Sequence, residues 1–184
     1  MLSNMFNASL VRMSVRYGLI GSLLCLGFIV VLYYMDRHPF LINPFVDPRI
    51  PAFGILLFFG LKELRDFNQG GNLYFWQGMI GGFLFTLVCA SVCSLGIFAF
   101  ASMEPEFVSR FVSLGLEQTK AFSDEDINRI GRETFDRTIR ELEAADAGFM
   151  ATRYFFQSFI ISFFVSIIVS VILRRTVEPP MPNA

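Results

Sequence analysis

Hydrophobic residues in this chain run together instead of alternating: Tyr17–Tyr34, Pro51–Leu61, Phe75–Phe100 and Tyr154–Leu173 hold no charged residue. A bilayer core about 30 Å thick is crossed by roughly 20 helical residues, and a helix satisfies its own backbone polar groups in lipid. Three of the runs approach or exceed that length. The second is too short by itself, but its flanks extend it. Asp47 suits an N-cap and Pro48 a first helical position, so a helix over 48–67 would reach about 30 Å. The pattern predicts an all-α, polytopic membrane protein of one domain. Its four transmembrane helices fall at about 17–34, 48–67, 75–100 and 154–173.

One sizeable polar segment, 101–153, separates the third and fourth runs. Phe107, Val108, Phe111, Val112 and Leu116 mark one apolar stripe after Pro105. Ile127, Ile130, Phe135, Ile139 and Leu142 mark another. Ser123 with Asp126 reads as a capping box in which Asp replaces Glu. Two amphipathic helices joined near Lys120–Asp124 are expected, packing on each other, on the membrane surface or on a partner. Ahead of the first span, Leu2, Met5, Phe6, Leu10 and Met13 would suit a short interfacial helix or a frayed end. The Pro-rich tail, 176–184, is expected to be disordered.

Two spans carry internal patterns. In the third, Gly78 and Gly82 lie four apart, as do Ala90 and Ser94, each a place where another backbone can approach. In the fourth, Ser158, Ser162, Ser166 and Ser170 recur every fourth residue and form one slowly winding stripe. The hydroxyls could bond across to a neighbouring helix or back to their own carbonyls. The spacing does not say whether the neighbour belongs to the same chain or to a second copy. Lys62, Glu63, Arg65 and Asp66 close the second span as an interfacial charge cluster, with Lys62 and Asp66 four apart on one face.

Composition narrows the classes further. Hydrophobic residues make up 54% of the chain, and 23 are Phe, far from a soluble mixture; a net charge of −1 without a basic cluster excludes nucleic acid as a partner. Cys25, Cys89 and Cys93 all fall inside spans, where they read as small hydrophobes. Cys89 and Cys93 are one turn apart, as metal ligands would be, but with no second pair and His38 in another segment no metal site is assigned. Arg12 and Arg16 before an apolar run resemble a signal peptide. The run ends in Tyr33, Tyr34 and Met35 with no small-residue cleavage site, and so reads as an uncleaved anchor.

Chemistry is sparse. Spans one, three and four hold no ionisable group at mid-depth, which counts against ion-coupled transport. The glycine-rich stretch Asn68–Asn72 lacks the Lys and Ser or Thr of a phosphate loop and reads as a turn. Asp36 with His38, or Glu104 with Glu106, has no supporting constellation, so neither catalytic nor cofactor-binding residues are assigned. Arg12, Arg16, Lys62, Arg65, Arg174 and Arg175 flank one side of the spans, against Arg37, Arg49 and Arg153 on the other, which puts both termini in the cytoplasm.

Tyr17–Ile20, Gly60–Asp66, the turn at Asn68–Asn72 and the Gln77, Gly78, Gly82 opening of the third span resemble the domain of unknown function 4199 family, as does an acidic helical segment before a hydrophobic last span. That resemblance implies a four-span protein of the bacterial inner membrane and carries no catalytic residue with it. The expected role is contact: a non-enzymatic helix-packing scaffold or accessory subunit, its partners the lipid bilayer, a second copy or another membrane protein, with 101–153 offered outward. The alternative is a small oligomeric pore or transport accessory lined by Ser158, Ser162, Ser166 and Ser170.

Overall fold

The computed structural model describes residues 8–42 and 47–175. Leu2, Met5 and Phe6 of the expected interfacial helix, and the tail 176–184, lie outside these. The described chain is helical: α1 (Ala8–Tyr34), α2 (Arg49–Glu63), α3 (Phe75–Met103), α4 (Pro105–Lys120), α5 (Asp124–Ile130), α6 (Arg132–Glu143) and α7 (Ala147–Leu173), with a short 3-10 turn at Pro39–Leu41. Helix α1 begins at Ala8, and Leu10 and Met13 are buried core residues within it instead of an interfacial stripe.

Three helices, α1, α3 and α7, are long and apolar enough to cross a membrane. Most of their surface is unburied by the rest of the chain, and Leu23, Leu95, Phe156, Ile160 and Phe164 stand exposed. Side chains of this kind on every outer face need an apolar solvent, and a bilayer supplies it. Helix α2 is shorter, about 22 Å at 15 residues. It continues as a π-helical turn from Leu64 to Asn68. Lys62 precedes that turn and Asp66 lies within it, where Asp66 pairs with its neighbour Arg65, Nε to Oδ1 2.7 Å.

Packing is antiparallel and up-down. The α3–α7 interface is the most extensive, then α1–α3, with α2 seated mainly against α7 and α1. One end of the bundle gathers Arg16, Tyr17 and Glu63, where the Tyr17 hydroxyl donates to Glu63 Oε2 at 2.9 Å and Arg16 pairs with the same carboxylate. At that end Leu73, just before α3, and Arg175, just after α7, exchange both backbone hydrogen bonds (3.0 and 2.9 Å), tying the two helices together.

The opposite end carries α4–α6. Helix α1 stops there with Asp36 at φ 58°, the left-handed conformation of a Schellman cap, and the Arg37 N–H donates to the Leu32 carbonyl at 3.0 Å. Asp tolerates that conformation better than most residues, and here its carboxylate also accepts from Arg110 of α4 at 2.8 Å. The polar segment has three helices where two were expected, because Gly131, at φ 93°, breaks the second stripe. The Ser123 and Asp126 capping box is present and opens α5.

Candidate functional site

Small residues set the α3–α7 interface. A Cβ added at Gly78 would collide with Ser170 Oγ and stand 2.8 Å from the Ser170 Cβ, and one at Gly82 would collide with Ser166 Oγ. One turn on, Thr86 hydrogen-bonds Ser162 and donates to the Gly82 carbonyl. Ala90 and Ser158, both fully buried, continue the two faces, and Ser94 Oγ donates across to the Ala151 carbonyl at 3.0 Å. Each step of four along α3 is thus met by a step of four back along α7. The helix facing the serine stripe belongs to the same chain. The hydroxyls do not share one role: Ser162 bonds across, Ser158 donates back to the Tyr154 carbonyl at 2.8 Å, and Ser170 Oγ is buried without a hydrogen-bond partner.

Above this interface, toward α4–α6, lies the polar centre of the bundle. At the head of α2, Arg49 is only 9% exposed. Its position at the head of an apolar run suggested a surface flank; the fold puts it inside instead. Asp47 accepts from the Arg49 backbone N–H (2.9 Å) and from Nε through both carboxylate oxygens (2.9 and 3.0 Å), a fork that holds the guanidinium. Pro48 occupies the cap position, and the helix starts one residue later than the sequence suggests. Nη1 reaches Ser158 Oγ at 3.4 Å, and the guanidinium carbon lies 4.7 Å from the Tyr154 ring centroid.

Tyr154 is 4% exposed, and its hydroxyl lacks a hydrogen-bond partner. It adjoins Cys25 and Cys93. The Sγ atoms of Cys25, Cys89 and Cys93 lie within 4.8 Å of one another, all buried. Cys25 was the residue missing from the sequence pattern, since only the packing of α1 against α3 brings it to the pair. A small cavity of about 40 Å³, lined in part by Cys25, Arg49, Tyr154 and Gln157, runs beside the cluster under Pro39 and Phe40.

His38 forms a second focus at this end. Its Nε2 sits 3.0 Å from the Phe107 carbonyl oxygen, while the Phe40 N–H donates to Nδ1 at 3.4 Å. Together these bonds describe a neutral ring protonated on Nε2. Burial holds His38 below its usual range, the Phe107 carbonyl works against that, and Arg110 adds to it. The ring stacks on Phe107 (centroids 4.8 Å apart) and Phe111 (5.4 Å), both nearly fully buried. His38 therefore fastens α4 to the bundle. The other sequence-selected charges, Lys62, Glu63, Arg65 and Asp66, lie at the far end, away from the polar centre, with Glu63 committed to Arg16 and Tyr17.

An up-down bundle with apolar outer faces, three membrane-length helices and a polar helical cap at one end defines an all-α protein of membrane-embedded type. Residues 16–175 match the family described as protein of unknown function DUF4199, and the chain belongs to that family. Among curated proteins and among solved structures, nothing matches.

Proposed function

We propose that this chain is a non-enzymatic scaffold or accessory subunit of a bacterial cytoplasmic membrane, crossing the bilayer four times and presenting α4–α6 to another membrane protein. The observation that carries the reading is the mounting of α4: Phe107 and Phe111 are sunk into the bundle among His38, Phe40, Tyr33 and Phe100, while α5 and α6 turn a densely charged surface outward. A rigidly fixed, charge-rich platform suits contact better than turnover. His38, the side chain best suited to acid–base work, is engaged on both nitrogens.

Helix α2 serves as the fourth crossing in this reading. It runs from the level of Ser158, through Arg49, to the level of Arg16, through Glu63, and its π turn lengthens it further. With Arg49 withdrawn inside, the cations close to the spans at the α4 end are fewer than those at the Arg12, Arg16, Lys62, Arg65, Arg174 and Arg175 end, which favours cytoplasmic termini. The pore alternative finds less support, because Ser158, Ser162, Ser166 and Ser170 are at most 3% exposed and are packed on α3.

The test reverses exposed charges on α6 without touching the anchor. A tagged chain and its Arg132→Glu, Arg137→Glu, Arg140→Glu variant are purified in mild detergent and compared. A membrane protein held stoichiometrically by the first and lost from the second supports the reading. Identical companions, or solute flux through vesicles containing the pure chain, would overturn it.

A further inference from the structure

The three buried thiols are the one cluster of metal-ligating side chains gathered among the described residues, and they converge from two helices. Three features separate them from ordinary core cysteines. The Tyr154 hydroxyl, buried and without a hydrogen-bond partner, belongs to a side chain that lines one cavity with Cys25. Arg49 brings a guanidinium to the wall of the same cavity, fixed there by Asp47. That cavity, at about 40 Å³, exceeds what one water needs, and it places open space against Cys25.

From this geometry we propose that Cys25, Cys89 and Cys93 form a three-sulfur site for a soft monovalent ion of the copper(I) class. Thiolates select such ions, and no imidazole or carboxylate stands among the three sulfurs. At a metal–sulfur distance of about 2.3 Å, three sulfurs in a trigonal plane lie about 4.0 Å apart, and the three Sγ atoms here all lie within 4.8 Å of one another. Zinc(II) would want a fourth ligand, and the oxygens beside the cluster are the Ser22 carbonyl, which accepts from Cys93 Sγ at 3.5 Å, and the Tyr154 hydroxyl.

The site is independent of the scaffold reading and is tested apart from it. The full chain in detergent micelles, reduced and anaerobic, is titrated with copper(I) held by the chromogenic chelator bicinchoninate. The wild type is expected to withdraw one equivalent per chain; Cys25→Ala, Cys89→Ala and Cys93→Ala should each weaken retention at least tenfold, and the triple variant should abolish it. Folding of the variants is checked by elution volume and helical circular dichroism. Should the triple variant not fold, maleimide labelling of the wild type decides, with bound copper(I) expected to shield all three thiols. No withdrawal by the wild type, retention by a folded triple variant, unshielded thiols, or displacement by equimolar zinc(II) would each overturn the proposal.

Discussion

Gly82 faces Ser166 so closely that the glycine's missing Cβ would lie 2.7 Å from the serine's own Cβ as well as against its hydroxyl. Rotating the hydroxyl away cannot relieve the first of these contacts, so the two helix backbones must separate if Gly82 gains a side chain. Overpacking of this kind costs about 1–3 kcal/mol. Gly82→Ala should lower the thermal midpoint in detergent. The exchange variant Gly82→Ser with Ser166→Gly should recover part of the loss, because the small partner has only changed sides. A double-mutant cycle measures that coupling, and an additive result would mean the helices do not meet at this pair.

Arg49 and Asp47 give a second case. Both side chains are almost inaccessible, at 11% and 12% exposure, so removing one strands the other as an unpaired charge. Arg49→Gln is expected to destabilise the bundle by about 3–5 kcal/mol. The pair Arg49→Gln with Asp47→Asn should cost much less than the sum of the single changes. Chemical denaturation of the four proteins in one detergent checks this. Equal, small effects throughout would place the pair at a wetted surface.

What could be read without coordinates follows from what is local. The α3 small residues and the α7 serines were each visible because a four-residue repeat on a helix is a face. Their mutual register was not, since it depends on how two helices slide past each other whose facing residues lie from 57 positions apart, at Ser94 and Ala151, to 92 apart, at Gly78 and Ser170. Arg49 misled because a charge beside Asp47 and Pro48 before an apolar run resembles a surface flank, and only the packing of the α2 head against Tyr154 and Ser158 of α7 buries it. Cys25 could not be joined to Cys89 and Cys93 for the same reason. Gly131 was the available signal for the break between α5 and α6; the apolar spacing from Ile127 to Leu142 carries across it, and the glycine's positive φ does not show in that spacing.

His38 makes docking of α4 sensitive to acid. Its folded-state range lies below the ordinary value, so the unfolded chain binds the proton first. Stability from this contact is complete above about pH 6.5, the usual histidine value, and falls as pH drops through the lower folded-state range. Protonation at Nδ1 removes the acceptor used by Phe40 and puts a cation near Arg110, with Arg37 and Glu117 on the adjoining opening. Hydrogen exchange across 105–120 should quicken at pH 5.5 relative to pH 7.5, after correction for the intrinsic rate. His38→Gln should abolish that difference while keeping a donor for the Phe107 carbonyl. A pH response that persists in His38→Gln would locate the sensor elsewhere.

Phe111 decides whether α4–α6 behaves as one mounted unit. Its ring is 1% exposed and meets His38, Phe40 and Phe149, and across α4 the Leu142 side chain packs onto Gly115 so tightly that an added Cβ would stand 2.8 Å from it. Truncating a buried phenylalanine costs about 3–5 kcal/mol. That loss should be local, because α3 and α7 hold each other without α4. Phe111→Ala is therefore expected to raise exchange throughout 105–143 and to leave the protection of 78–94 and 158–170 unchanged. If protection falls in both regions together, the platform is part of the bundle's cooperative core. If it falls only around residue 111, α6 is held by contacts other than Leu142 on Gly115.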